Sequence, residues 1–333
     1  MSGNKTKVID VHYHVLSPNL AKEIAECVHS RAYLDLSKNV SITPDGYEIP
    51  LVNEEDQLNE ADRVGIDTLV MTMPDPSLIV GLPDSTEQRL TLSQTINNYL
   101  ASLCQRFPGR FMALADIPQV GLNELAIQEM RRALNELGLH GINLFTRYDG
   151  KPLDAPEFRP FFEEANRQQA VIYIHPTCQM DPTIMDYHMY ILVRFPYETT
   201  LTIARLAYAG VLEQFPDISF ILSHAGGTIP FLWWRLDYGH VENYPSCRDH
   251  IQVPPSKYLK RCYFDTALSD TDSLMLAYKR VGGDHILFGT DAPYRIEALS
   301  ETIKMVEAMD INEEVKGKIL GGNALALMHR RTS

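Results

Sequence analysis

The chain has 333 residues, 45% of them hydrophobic, and its 43 acidic against 30 basic side chains give a formal net charge of −13. That apolar share supports a large core, and that charge argues against a surface built for nucleic acid or an anionic membrane. It leaves room for an anionic small molecule, because a bound cation reverses the local field.

The chain opens on a polar stretch, Met1 to Val8, that does not read as a signal, and no apolar run reaches the length of a membrane span. The five cysteines (Cys27, Cys104, Cys178, Cys247 and Cys262) show no C-x-x-C spacing and read as reduced thiols of a cytoplasmic protein. Cys178, three residues past His175, is the one to watch near a pocket.

The first element, Val8-Ile9-Asp10-Val11-His12-Tyr13-His14, reads as a short strand. Its two histidines share a face, because side chains at i and i+2 of a strand point the same way. Neutral imidazole is a good ligand for zinc and other divalent transition metals, so the pair is a candidate half of a metal site. Asp10 is placed to orient a ligand or to stabilise the strand end.

Further apolar runs follow at 68–73, 111–117, 140–145, 170–175, 218–223, 262–267 and 285–290, making eight with the first at 8–15. Helical segments are predicted between them at 54–64, 86–106, 123–137, 156–168, 199–214, 271–281, 296–309 and 312–328, and another starts near Thr228. Short continuous apolar runs alternating with helices specify parallel strands covered on both faces. Eight such pairs predict a (β/α)8 TIM barrel, with residues 1–333 forming one domain. Residues 16–53 and 176–198 are longer than a connection needs to be, and both follow a strand C-terminus, the end at which barrel sites lie. They are expected to form walls or lids over a site.

Strand five ends at His175-Pro176, strand six at His224-Ala225-Gly226-Gly227-Thr228 and strand eight at Asp291-Ala292-Pro293. One such residue alone is an ordinary polar strand end, but four strand ends ringing one opening are not. The expectation is a single divalent ion held by His12, His14, His175 and Asp291, with a coordination position left open for chemistry. Two roles are open for His224: fifth ligand, or proton-transfer group beside the ion. Thr228 is a candidate N-cap for the next helix.

The motifs D-x-H-x-H, H-P after strand five, S-H-A-G-G-T after strand six and G-T-D-A-P after strand eight resemble the amidohydrolase superfamily. Within it the chain looks like the aminocarboxymuconate-semialdehyde decarboxylase branch, which includes γ-resorcylate and related aromatic-acid decarboxylases. The resemblance extends through Arg194 to Thr200, Phe231 to Arg235 and Gly322-Asn323-Ala324. The runs Phe195 to Thr200 and His224 to Thr228 look closest to methylsalicylate-type decarboxylases. The resemblance implies that His12, His14, His175 and Asp291 bind zinc, with manganese as the alternative, one ion per chain. It implies that His224 is catalytic and that the protein is a homodimer. The tip of the fourth strand, Gly141-Ile142-Asn143-Leu144, lacks the lysine of binuclear members, in keeping with one metal.

Two departures bear on substrate. The stretches Gly46 to Pro50 and Tyr238 to Asn243 lack the arginines with which the namesake enzymes hold a dicarboxylate. His12 stands where resorcylate-type enzymes begin with glutamate. A compact monocarboxylate with a neighbouring hydroxyl is therefore expected in preference to a dicarboxylate. Arg194, Arg235, His188 and Tyr294 are candidate substrate contacts, with Tyr187, Tyr190 and Phe195 as aromatic neighbours; Asp116 is a candidate to face the mouth. Trp233 and Trp234 are expected to divide between core and subunit interface. The expected activity is metal-dependent, non-oxidative decarboxylation of a small hydroxyaromatic or unsaturated acid, with His224 and Asp291 as the catalytic pair that shuttles the proton replacing carbon dioxide. The alternatives are hydrolysis of a lactone or amide on the same site, or a metal-binding barrel without chemistry.

Overall fold

The structure is a computed structural model that describes residues 7–29, 33–42, 46–76, 79–177, 186–267, 269–294 and 297–330. Eight parallel strands follow one another around a barrel in chain order. They are β1 (Ile9–His14), β2 (Thr68–Thr72), β3 (Phe111–Asp116), β4 (Gly141–Phe145), β5 (Val171–His175), β6 (Ser219–Leu222), β7 (Tyr263–Asp265) and β8 (Ile286–Leu287). The chain closes on itself through Val11 N–H to Phe288 O at 2.8 Å, Asp291 N–H to His12 O at 2.8 Å and His14 N–H to Ala292 O at 2.7 Å. Asp10 reinforces that seam: its Oδ2 accepts from Thr290 Oγ1 at 2.5 Å, and its Oδ1 accepts from the N–H groups of Thr290 and His12. Of its two expected roles, Asp10 fills the strand-stabilising one.

Several of the helices form where capping signals predict. Glu54–Val64 starts with the Asn53 side chain accepting from Asp56 N–H, carries three acids in its first turn and ends at Gly65 in the left-handed conformation. Thr86–Arg106 is capped by Ser85. Two clusters of buried residues follow. One lies between strands and helices and includes Leu69, Met71, Ile142 and Leu144. The other includes Val70, Leu114, Tyr173 and Leu287, the alternate strand positions, and meets Leu327 and Met328 of the C-terminal helix.

The expected first loop holds more structure than its sequence suggested. Pro18–Cys27 is a helix capped by Ser17, and Leu34–Asp35, Val40–Ile42 and Glu48–Pro50 form a small antiparallel sheet. After β5 the helix starts earlier than expected, at Phe195–Tyr208, preceded by a wide helical turn over Tyr190–Arg194. Cys178 and the rest of 178–185 lie outside the described residues. Thr228 does precede the helix Ile229–Val241, but its side chain makes no capping bond and pairs with Thr200 Oγ1 at 3.0 Å.

Candidate metal centre

In β1 the register against β2 shifts between Asp10 and Tyr13. A bulge of this kind re-aims side chains beside a functional site. Here Ile9 and Val11 join the second core cluster, while His12 and His14 turn toward the mouth. His12, His14, His175 and Asp291 each offer one ligand atom, and these four atoms lie within 4.8 Å of one another. All three histidines are buried.

Each imidazole is held by its Nδ1. His12 Nδ1–H donates to Asp265 Oδ2 at 2.8 Å. His175 Nδ1–H donates to Pro176 O at 3.0 Å. Thr72 gives its hydroxyl proton to Tyr13 O, which leaves its oxygen to accept from His14 Nδ1–H at 3.1 Å. That assignment turns the Nε2 lone pair of every ring toward the cluster. Nε2 of His175 is buried without a hydrogen-bond partner, and Nε2 of His12, which makes no bond of hydrogen-bond geometry, lies 3.2 Å from Asp291 Oδ1, the oxygen that His14 Nε2 meets at 3.0 Å. Buried polar atoms are ordinarily satisfied, so imidazole nitrogens left without hydrogen bonds around a carboxylate fit a divalent cation.

Charge gives the same answer. Burial, followed by the neighbouring imidazoles, holds His175 well below its ordinary value, and burial likewise lowers His14. Both are therefore neutral and competent as ligands. Burial would lower His12 and raise Asp291, but the two oppose that trend in each other: His12 is raised to about 10, and Asp291 is held well below the carboxylate range. A proton on His12 balances Asp265 and Asp291, and a metal ion at Nε2 would balance them equally.

His224 stands beside the four. Its Nε2 is 3.6 Å from Asp291 Oδ2, its Nδ1 is buried without a hydrogen-bond partner, and its ring stacks on Phe195 at 6.1 Å. His224, Ala225 and Asp291 all have φ between 54° and 64°, the left-handed region that costs a non-glycine residue roughly 1–3 kcal/mol. The turn after β6 needs glycine next: a Cβ at Gly226 would meet the Phe264 ring at 2.3 Å.

Sequence reasoning passed over the residue that organises this floor. Asp265, fully buried at the tip of β7, accepts from His12 Nδ1–H, from the Tyr173 hydroxyl at 2.6 Å, from Ala225 N–H at 2.9 Å and from Ala267 N–H at 3.1 Å. It thus fixes one candidate ligand and the turn that carries His224. The available signal was its place as the lone acid at the end of an apolar strand.

Above the floor is a cavity of about 300 Å³ lined by His175, Asp291, Tyr294 and Phe195 among others. Tyr294 packs edge-on against His14 at 5.2 Å and belongs to the wall, as do Tyr190 and Tyr47. The other candidate contacts fall elsewhere. Arg194 pairs with the buried carboxylate of Glu198 at 2.5 Å and lies over the Tyr197 ring, so its charge is already engaged outside the cavity lining. Arg235 is exposed on Ile229–Val241 and lines a surface cleft with Trp234 and Tyr238, paired with neither Asp291 nor the cavity. His188 is exposed and reaches the site only by packing on Tyr47 and Tyr190. Asp116 is buried and accepts from Ser93 Oγ at 2.5 Å, away from the cavity lining. Trp233 is buried and Trp234 exposed.

Known proteins resemble this chain in sequence and in fold. The chain is 30% identical to 2-amino-3-carboxymuconate-6-semialdehyde decarboxylase of Dictyostelium discoideum, over 82% of this chain and 75% of that one. It is 30% identical to 6-methylsalicylic acid decarboxylase acuB of Aspergillus aculeatus, over 97% and 96%. A 5-carboxyvanillate decarboxylase from Novosphingobium aromaticivorans, solved with bound manganese, superposes with a TM-score of 0.81 at 21% identity, covering 98% of this chain and 99% of that one. Three histidines and an aspartate at the tips of β1, β5 and β8 are thus set in a barrel whose residues 9–330 match the family described as Amidohydrolase, and the chain belongs to that family.

Proposed function

We propose that this protein is a metal-dependent, non-oxidative decarboxylase of a small hydroxyaromatic carboxylic acid. The observation that carries the reading is the convergence of His12, His14, His175 and Asp291, with no bond of hydrogen-bond geometry at Nε2 of His12 or of His175, on the floor of a largely apolar cavity. The names of the two relatives at 30% identity point to the same chemistry.

The four side chains would hold one divalent ion, which when bound supplies a positive charge to receive the carboxylate and an adjacent hydroxyl. Zinc is the ion that the family resemblance implies, with manganese as the alternative, and the superposed decarboxylase was solved with manganese. Phe195, Tyr190 and Ile191 give the ring an apolar slot that excludes water. In the reaction the bond between ring carbon and carboxylate breaks, carbon dioxide leaves, and the ring carbon takes a proton in its place. His224, next to Asp291 and outside the ligand set, is positioned to hold and deliver that proton.

The protein is proposed to act as a cytoplasmic homodimer. Among the described residues no helix is long and apolar enough to cross a membrane, and the four described cysteines are free thiols. Ile229–Val241 exposes 78% of Phe231 and 63% of Trp234, an apolar face suited to a second copy of this chain. The test of function is to incubate the manganese- or zinc-loaded protein with salicylates and to measure gas and acid separately. Carbon dioxide with loss of the carboxylate supports the reading. Acid release from lactones or amides, without carbon dioxide from any salicylate, would assign the site to hydrolysis instead.

A further inference from the structure

The turn that carries His224 runs through four consecutive residues of positive φ: His224, Ala225, Gly226 and Gly227, at 54°, 54°, 74° and 61°. Glycine adopts that region freely, but His224 and Ala225 do so at a cost, and such strain persists only where the surroundings hold it. Asp265 holds the turn from below through Ala225 N–H. A second set of contacts comes from the side, from the first turn of the helix Phe195–Tyr208.

That helical turn grips the His224 turn at both ends and in the middle. Thr199 Oγ1 lies 3.2 Å from Ser223 Oγ, one residue before His224. The Thr200 hydroxyl donates to Pro196 O at 2.7 Å, and it accepts from Thr228 N–H at 2.8 Å and from the Thr228 hydroxyl at 3.0 Å. Its one proton and both lone pairs are thus in use. Between the two threonines' contacts, the Phe195 ring stacks on His224 with the planes 26° apart, and Pro196 O fills the space that a Cβ at Gly227 would need. Thr199 and Thr200 are both buried, and neither is among the described residues that line the cavity. We propose that Thr200, with Thr199 at the other end, is a positioning residue for proton transfer: its hydroxyl fixes the strained turn so that His224 stays stacked on Phe195 and beside Asp291. This rests on the reading of His224 as the proton-transfer group of a decarboxylase. A displacement of about 1 Å at a reacting group can cost roughly a hundredfold in rate, so a hydroxyl that never meets the substrate can govern turnover.

The test sets Thr200→Val, which exchanges the hydroxyl for a methyl of similar size, against Thr200→Ser, which keeps the hydroxyl. In manganese-loaded protein with a salicylate as substrate, Thr200→Val should lower kcat by about tenfold or more, with KM within about threefold and metal content unchanged. Thr200→Ser should return kcat to within about threefold of the unmodified protein. A readout free of turnover is the His224 Cε1–H resonance in zinc-loaded protein labelled at its histidines, assigned by its loss in His224→Asn. That resonance carries the ring-current shift of Phe195, and it should move in Thr200→Val and return in Thr200→Ser. Should Thr200→Val fail to fold, Thr199→Val and Thr199→Ser make the same comparison at the other end of the turn. An unmoved resonance in the valine variant, or a kcat within about twofold of the unmodified protein, would overturn the proposal. So would a serine variant as impaired as the valine one, which would assign the effect to packing, or metal lost in proportion to kcat, which would assign the turn to the ligands. If no acid yields carbon dioxide, the decarboxylase reading fails and the resonance alone decides for Thr200.

Discussion

The floor and the walls of this cavity come from different parts of the fold. The floor is made by strand tips: His12 and His14 on β1, His175 on β5, and Asp291 just past β8. The walls are made by the segments after β1, β2, β5 and β8, which supply Tyr47, Asp75, Phe195 and Tyr294. At a strand tip the barrel's hydrogen-bond register leaves a side chain little choice of direction, so residue type and position together imply the site. In a loop the same residue type can face the ligand, the solvent or another side chain, and local packing decides. Arg194 and Asp75 are the two outcomes: the first, which looked like a carboxylate clamp, is taken by Glu198, and the second, an unremarked Pro-Asp-Pro acid, lines the cavity.

The largest expected effect comes from the floor. His12→Ala or His175→Ala should abolish retention of the roughly one divalent ion per chain that the site is expected to hold, and should take activity to background. Metal analysis of dialysed protein decides it. Two tightly held ions per chain in the unmodified protein would break the single-metal reading. Next, His224→Asn should keep the ion but lower turnover by roughly a hundred- to ten-thousandfold, as expected of a proton-transfer group. A loss of ion parallel to the loss of turnover would make His224 a ligand.

Asp265 tests how far the floor extends beneath the ligands. Asp265→Asn keeps the shape but removes the charge that anchors His12 Nδ1 and the turn after β6. Metal affinity should fall about ten- to a hundredfold, the usual cost of losing an outer hydrogen-bond partner, and competition with a chelator measures it. That residue also marks the limit of the sequence. The eight runs, their helices and the four converging residues were legible because periodicity and strand-end position carry them. Asp265 was not, because its role lies in bonds to His12, Tyr173 and Ala225, residues 253, 92 and 40 positions away. The helix Pro18–Cys27 was hidden for a local reason: its Ser17-Pro18 start is a capping signal set inside a segment read by length alone as a loop.

The smallest effect on chemistry should come from Arg194, and it is the sharpest test of the contrast between floor and walls. Its guanidinium is bound to Glu198, whose carboxylate is 1% exposed and has Arg147 as a second cation 3.6 Å away. Removing Arg194 therefore leaves a buried carboxylate with a longer, weaker partner, a stability cost of about 1–3 kcal/mol. Arg194→Ala should lower the unfolding midpoint, and Glu198→Gln combined with it should recover part of that loss, because the unpaired charge goes with it. Over the same pair of variants kcat/KM for a salicylate-type acid should stay within about threefold of the unmodified protein, as for substitutions away from the site. The clamp reading requires the opposite pattern: KM rising tenfold or more in Arg194→Ala with the melting temperature unmoved. That result would mean the arginine leaves Glu198 when substrate arrives, and the wall would have to be redrawn as a part that moves.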